Sequence, residues 1–250
     1  MKKKEEAGEV VIDIKNLSKA FGPKEVLKDV NIKLHKGENL VILGKSGTGK
    51  SVLIKCVSGL LSSDKGNLCV LGDEVSKMNE RELNKVRKKI GFLFQGGALY
   101  DSMTVRENLE FPLRRSQREL KENEIEEKVM EALKNVGLED AIDKMPSELS
   151  GGMKKRIALA RTIILSPEIM LYDEPTTGLD TITSLEISEL ILKMKKQFGI
   201  SSIIITHDMN CAKLTADRVN ILHEGECIAD GTYEELKASK DKRVSAFFIE

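Results

Sequence analysis

The stretch Gly44-Lys45-Ser46-Gly47-Thr48-Gly49-Lys50-Ser51 decides the fold of this chain. It fits the pattern G-x-x-x-x-G-K-[ST], in which glycines allow backbone N–H groups to surround phosphate oxygens. The apolar run Leu40-Val41-Ile42-Leu43 before it is typical of a strand buried on both faces, and residues 51–61 after it are predicted to form a helix. A glycine-rich loop between a buried strand and a helix start predicts a phosphate site, since the helix N-terminus adds partial positive charge.

All eight residues of this loop are candidate nucleotide-binding residues. Lys50 can reach the β- and γ-phosphates of a nucleotide, and the Ser51 hydroxyl can ligate Mg²⁺. The sequence therefore predicts that a nucleoside triphosphate and Mg²⁺ bind here.

A second candidate site is the acidic end of the strand Ile169-Met170-Leu171-Tyr172-Asp173-Glu174. In a parallel sheet such a strand brings its carboxylates to the edge where the phosphate loop also lies. Asp173 is the candidate Mg²⁺ ligand, and Glu174 is the candidate general base that accepts a proton from the attacking water.

Composition excludes several classes of protein. The 250 residues are 40% hydrophobic and carry 40 Lys and Arg against 40 Asp and Glu, so a disordered chain is excluded and no overall charge favours nucleic acid as a partner. The four cysteines, Cys56, Cys69, Cys211 and Cys227, are far apart, which argues against a zinc site and favours reduced thiols. No apolar run is long enough to span a bilayer, so we expect the chain not to cross one.

The order of apolar patterns predicts four regions. Residues 1–9 are expected to be a flexible tail. Strands alternating with helices in residues 10–95 and 167–231 predict a nucleotide-binding core with a mostly parallel sheet and antiparallel strands at its start. Helical patterns dominate residues 96–166, which predicts an inserted helical subdomain, and residues 232–250 are expected to form a helical tail.

A second glycine-bearing helix start, Leu149-Ser150-Gly151-Gly152-Met153, lies between the two sites. Together with the phosphate loop and the Asp-Glu strand, it resembles the signature of ABC-type ATPases. The resemblance implies an α/β fold, with a P-loop NTPase (RecA-like) core, an N-terminal antiparallel β subdomain and the inserted α-helical subdomain. In that family the signature of one subunit covers the ATP held by the other, which implies a head-to-tail dimer with Ser150, Gly151 and Gly152 as nucleotide-binding residues.

Four further residues match family positions in the right order. The resemblance implies that Phe21 stacks on adenine, that Gln95 senses the γ-phosphate and Mg²⁺, that His207 is the switch histidine, and that Asp180 lies in the loop at the dimer seam. Taken alone, Phe21 is more often a core aromatic, Gln95 a surface amide and His207 a structural residue at a strand end.

Met153, with the segments 96–109 and 111–114, looks like the ATPase subunits of Mce-associated phospholipid transporters, which maintain outer-membrane lipid asymmetry. This likeness implies phospholipid as the transported substrate, transmembrane permease subunits and an Mce-type substrate-binding protein as partners, and a peripheral location on the cytoplasmic face of the inner membrane. Two departures from the wider family are Met153, where many members have Gln, and Thr181, where Pro is common.

The segment 96–103 is expected to form part of a groove for a short helix of the permease, with Leu99, Tyr100 and Met103 as anchors. The alternative is that these side chains pack in the core of the helical subdomain.

Four other functions are the alternatives. Import of another solute fits the same family. A GTPase would need N-K-x-D, whereas Asn84-Lys85 is followed by Val86-Arg87, and a small-molecule kinase would leave the second glycine signature unexplained. A non-transport ABC ATPase would be expected to carry a long coiled-coil insertion or a second cassette.

Overall fold

The chain folds around two β-sheets, and a computed structural model describes residues 8–248 of it. The strands are β1 (Val10–Phe21), β2 (Lys24–His35), β3 (Asn39–Leu43), β4 (Lys65–Val70), β5 (Asp73–Glu74), β6 (Ile90–Leu93), β7 (Ile169–Asp173), β8 (Ser201–Thr206), β9 (Arg218–His223) and β10 (Glu226–Gly231). The helices are α1 (Lys50–Val57), α2 (Glu80–Arg87), α3 (Val105–Ser116), α4 (Glu122–Val136), α5 (Gly151–Ile163), α6 (Thr181–Phe198), α7 (Met209–Thr215), α8 (Tyr233–Lys237) and α9 (Lys242–Ser245).

The larger sheet has six strands in the order β10-β9-β3-β8-β7-β6. All pairs from β9 to β6 are parallel, and β10 closes the sheet as the antiparallel partner of β9. Every residue of β3, β7 and β8 is buried, and the continuous apolar run of residues 40–43 predicts this burial for β3. Because side chains alternate along a strand, Val41 and Leu43 enter one hydrophobic cluster and Leu40 and Ile42 enter the other.

The smaller sheet is antiparallel, with the order β2-β1-β4-β5. It packs with α1 and one face of the larger sheet in the second hydrophobic cluster. The expected antiparallel subdomain is therefore present, and its long β1–β2 hairpin brings Val26 and Leu27 against the phosphate loop.

Helices α3, α4 and α5 lie within the range 96–166, and their apolar faces join the first cluster. Thr104 caps α3 through a reciprocal pair of hydrogen bonds with Glu107. Buried Asn108 organises the preceding loop, because its side-chain amide donates to the carbonyls of Tyr100 (3.1 Å) and Met103 (3.1 Å) and its oxygen accepts from the Tyr100 N–H (2.8 Å).

Some helix boundaries differ from those expected. Helix α1 ends at Val57 instead of continuing to Leu61, because Gly59 adopts a left-handed φ of 68°. Helix α6 begins at Thr181 instead of near Ser184: the Asp180 carboxylate caps it by accepting from the Thr183 N–H at 3.0 Å. Its first turn carries exposed side chains, so apolar periodicity does not reveal it.

At the amino end, the expectation of a flexible tail falls partly on residues 1–7, which lie outside the described residues. Gly8 and Glu9 are held against the end of β2: the Lys36 N–H donates to the Glu9 carbonyl at 2.8 Å, and His35 Nδ1 lies 2.9 Å from the Gly8 carbonyl. Gly8 and Glu9 are therefore fixed by contacts to the end of β2 and do not fit the expected flexible tail.

Within residues 8–248, no helix combines the length and the apolar character that crossing a membrane requires.

Candidate nucleotide and catalytic site

The phosphate loop connects β3 to α1 and is closed by tight backbone packing. Gly49, with φ of 102°, begins α1, and a Cβ there would lie 2.8 Å from the Val26 carbonyl oxygen. A Cβ on Gly44 would lie 2.7 Å from the Leu222 carbonyl. These positions accept no side chain, so glycine is required for the loop to curl between the hairpin and the sheet.

Inside the loop, Lys50 is buried and its ammonium is directed back over the loop. It donates to the carbonyls of Gly44 (2.6 Å) and Lys45 (3.0 Å) and lies 3.4 Å from Glu174 Oε1. The Thr48 hydroxyl also donates to the Lys45 carbonyl, at 2.9 Å. A cation held in this way can meet phosphate oxygens without first being ordered.

The end of β7 lies directly beside the start of α1. The Ser51 hydroxyl donates to Asp173 Oδ1 at 3.0 Å, so two of the three proposed Mg²⁺ ligands are neighbours. Burial raises the pKa of the Asp173 carboxyl, while the Ser51 hydrogen bond and the positive charges of Lys50 and Lys55 oppose that rise. Hard oxygen donors of this kind suit Mg²⁺, which usually takes one or two carboxylates together with phosphates and water.

Glu174 and His207 form a hydrogen-bonded pair. His207 Nδ1 lies 2.8 Å from Glu174 Oε2, and the Thr177 hydroxyl donates to the same oxygen at 3.2 Å. The Glu174 backbone has a left-handed φ of 52°, which is uncommon for a residue with a side chain and is typical of functional sites. This backbone turn follows β7 immediately.

Several of these groups line one cavity of 270 Å³, whereas Asp173 and Thr177 do not. Its lining includes the predicted site residues Ser46, Gly47, Gly49, Lys50, Ser51, Gln95, Glu174 and His207. Gly44 and Gly49 leave no room for a Cβ, and Lys50 supplies a buried ammonium. Ser51 and Asp173 form a hydroxyl–carboxylate pair. Together these features fit the phosphates of ATP and a Mg²⁺ ion.

Phe21 lies apart from the cavity lining, at the tip of the β1–β2 hairpin. Its side chain is 50% exposed, and Lys19 Nζ is 5.6 Å from the ring centroid. Asp64 holds this tip by accepting from Lys19 Nζ (2.6 Å) and from the Ala20 N–H (2.7 Å). The alternative of a core aromatic does not hold for Phe21, and an open ring face is available for the predicted stacking.

The remaining predicted residues form a separate group at the start of α5 and α6. The Ser150 hydroxyl accepts from the Met153 N–H at 3.2 Å and caps α5. A Cβ on Gly152 would lie 2.4 Å from Thr183 Cγ2, in the first turn that Asp180 caps. None of Ser150, Gly151, Gly152 and Asp180 lines the 270 Å³ cavity.

Two residues that contact Glu174 were not predicted from the sequence. Thr177 contacts Glu174 through its hydroxyl. Buried Lys155 donates through its ammonium to the Gln95 carbonyl and, at 3.4 Å, to the Glu174 carbonyl. Nothing in the sequence predicts this contact. Helical periodicity locates the apolar face of α5, but it does not show that a lysine on that helix is buried.

Comparison with known families matches residues 27–177 to the family described as ABC transporter. Relatives include a probable ribonucleotide transport ATP-binding protein of Mycobacterium leprae, 40% identical over 95% of this chain and 68% of its own length. An intermembrane phospholipid transport system ATP-binding protein of Haemophilus influenzae is 39% identical over 95% of this chain and 89% of its own length. A methionine import ATP-binding protein of Bacillus cereus is 41% identical over 90% of this chain and 66% of its own length.

Solved structures are similar over most of the chain. The cbiO1 protein of Clostridium perfringens, part of the ABC transporter complex cbiONQ, has a TM-score of 0.85 at 32% identity and covers 93% of this chain and 92% of its own. A dimeric ATP-binding cassette in a post-hydrolysis state, bound to ADP and Pi, has a TM-score of 0.81 at 32% identity, covering 88% of this chain and 98% of its own. The expected α/β fold with a P-loop core is confirmed.

Proposed function

Because this chain belongs to the ABC transporter family, whose ATP-binding subunits hydrolyse ATP, we propose that it powers phospholipid transport through separate membrane permease subunits. The observation that carries the choice of phospholipid is the likeness to the Haemophilus phospholipid transport protein, which spans 89% of that protein. The resemblance of segments 96–109 and 111–114 and of the Met153 signature to phospholipid transport ATPases also supports this choice. Methionine import is the second candidate, favoured by the 41% identity to the Bacillus relative.

Hydrolysis starts with the phosphate chain in the loop of residues 44–51. Lys50 and the loop N–H groups hold the β- and γ-phosphates. Ser51, Asp173 and Gln95 would hold a Mg²⁺ ion, which when bound would supply positive charge beside the phosphate oxygens.

Glu174 then acts as the general base. Its carboxylate accepts a proton from water as the water oxygen bonds to the γ-phosphorus, and the bond from that phosphorus to the β–γ bridging oxygen breaks, leaving ADP and phosphate. His207 Nδ1 lies 2.8 Å from Glu174 Oε2; because an ionised carboxylate can only accept, a hydrogen bond here has Nδ1–H as its donor and orients the carboxylate. Thr177 fixes the same oxygen.

A second copy of the chain completes the site. Ser150, Gly151 and Gly152 are exposed or half-exposed and lie away from the chain's own phosphate loop, as expected if they contact the nucleotide of a head-to-tail partner. Ile182 and Leu185, beside Asp180, are 73% and 50% exposed, and exposed apolar side chains of this kind favour an interface.

The permease is proposed to bind the segment 96–103. Arg161 supports this segment by donating to the Ala98 carbonyl at 2.8 Å and by lying 5.4 Å from the centroid of the Tyr100 ring. Tyr100 is 44% exposed and Met103 is half-buried, whereas Leu99 packs against the core. Tyr100 and Met103 therefore remain the candidate anchors for the permease. Leu99 instead packs in the core of the helical subdomain, which was the alternative for all three residues.

The proposed location is the cytoplasmic face of the inner membrane, with an Mce-type protein as a further partner. To test this proposal, the chain is co-purified with its permease, and the complex is reconstituted so that transfer between donor and acceptor vesicles can be measured. ATP-dependent transfer of labelled phospholipid is the expected result. Transfer of methionine with no lipid transfer would contradict the phospholipid proposal and support the second candidate.

A further inference from the structure

Lys155 is a buried cation that has no role in the mechanism described above. It lies in α5, five residues after the Ser150 cap, and is 6% exposed. A buried lysine needs partners, since an unpaired ammonium is costly to remove from water.

The ammonium of Lys155 forms hydrogen bonds to two backbone carbonyls, and both belong to proposed site residues. Nζ donates to the Gln95 carbonyl and to the Glu174 carbonyl, the latter at 3.4 Å. Gln95 follows β6 and Glu174 follows β7, and these strands are parallel neighbours. One side chain of the Ser150 helix therefore joins the carboxyl ends of two strands.

The Glu174 backbone is a position that needs such support. With φ of 52° it is in the left-handed region, which costs conformational free energy for a residue with a Cβ. Its N–H donates to the Ile205 carbonyl at 2.9 Å, and its carbonyl accepts from the Thr177 N–H at 3.3 Å as well as from Lys155. The Lys155 contact is the one that comes from the helical subdomain.

The electrostatic environment agrees with this geometry. Burial lowers the pKa of the Lys155 ammonium, and the negative charges of Asp173 and Glu174 oppose that change. Lys50 and Lys155 thus balance two carboxylates at the end of β7.

We propose that Lys155 is a positioning residue: its ammonium sets the backbone of Glu174 and Gln95 relative to the Ser150 helix and so aligns the general base for water attack. The inference rests on the proposed role of Glu174. Loss of the ammonium should reduce the rate of the chemical step and leave nucleotide affinity nearly unchanged, because Lys155 does not line the cavity.

The test compares Lys155→Met, Lys155→Gln and Lys155→Arg with the wild type. We expect kcat to fall at least about tenfold in the Met variant, with ATP Kd and KM within about twofold, and to recover in the Arg variant, whose guanidinium can donate to both carbonyls. If Lys155→Met does not fold, Lys155→Gln decides, since its amide keeps hydrogen-bond donors but has no charge. Lys154→Met is the matched control, because this neighbouring lysine is half-exposed and should retain wild-type kcat.

Wild-type kcat in a folded Lys155→Met or Lys155→Gln variant, with a lowered Tm or not, would overturn the inference. So would parallel losses of nucleotide affinity and kcat, which would assign Lys155 to binding. Glu174→Gln is measured alongside: if that variant hydrolyses normally, the proposed base is wrong, whereas an inactive Glu174→Gln with an active Lys155→Met refutes the positioning role alone.

Discussion

Replacing Glu174 with Gln isolates the proton-accepting step of hydrolysis. The amide has nearly the shape of the carboxylate, and its oxygen can still accept from Thr177 or His207. It cannot accept a proton from water. General-base catalysis contributes about 10²- to 10⁴-fold, so kcat should fall by that factor, which corresponds to roughly 3–5 kcal/mol in the barrier.

ATP binding should survive the same change. Lys50 lies 3.4 Å from Glu174 Oε1, and neutralising that carboxylate removes a negative charge close to the position proposed for the γ-phosphate. Lys50 keeps its hydrogen bonds to the carbonyls of Gly44 and Lys45. The affinity for ATP should therefore be equal to that of the wild type or higher, and the ATP-bound dimer should persist.

Two measurements separate these effects. Single-turnover hydrolysis with excess enzyme reports the chemical step, and size exclusion with light scattering reports the ATP-dependent dimer. Glu168→Gln is the matched control, because Glu168 is exposed and paired with Lys89 at 3.3 Å, and it should hydrolyse ATP at the wild-type rate. A Glu174→Gln variant that turns over as fast as the wild type would refute Glu174 as the base.

Three further predictions concern affinity, docking and thiol chemistry. Lys50→Ala should weaken ATP binding about 10²- to 10⁴-fold, since two charge-assisted hydrogen bonds to phosphate at about 1.5–3 kcal/mol each are lost, and an unchanged Kd by calorimetry would contradict the phosphate site. Replacing Tyr100 and Met103 together with Asp should release the ATPase from its permease while Tm and ATP affinity stay near wild type; continued co-purification would place the groove elsewhere, and unfolding would show that both side chains pack the core. Burial raises the pKa of both the Cys56 and Cys211 thiols to about 11, so at pH 8 only about one in a thousand of each is thiolate and a disulfide reagent should leave them unmodified until denaturant is added. Rapid labelling of the native protein at these positions would contradict their burial.

Much of the fold could be predicted because its signals are local. The continuous apolar run of β3 is buried on both faces, as its composition predicts, and the apolar runs 169–172 and 203–205 likewise lie in the buried strands β7 and β8. Helix α2 was not predicted, although Asn79 and Glu82 form the reciprocal capping pair that marks its start. Its charged surface carries little apolar periodicity, which is why the pattern did not reveal it.

The sequence by itself determined the phosphate loop, the acidic strand end and the family resemblance, because each depends on residue types at short, fixed spacings. Glycines at 44 and 49, a lysine at 50 and a hydroxyl at 51 suffice to predict a site for phosphate and Mg²⁺.

Tertiary structure decided which distant groups meet. The approach of Ser51 to Asp173, of His207 to Glu174, and of Lys155 to two backbone carbonyls depends on the order of the parallel strands and on where α5 packs. These contacts join residues 19 to 122 positions apart. No local pattern encodes them, since they arise when burial of apolar faces on both sides of the sheet brings the carboxyl ends of its strands together.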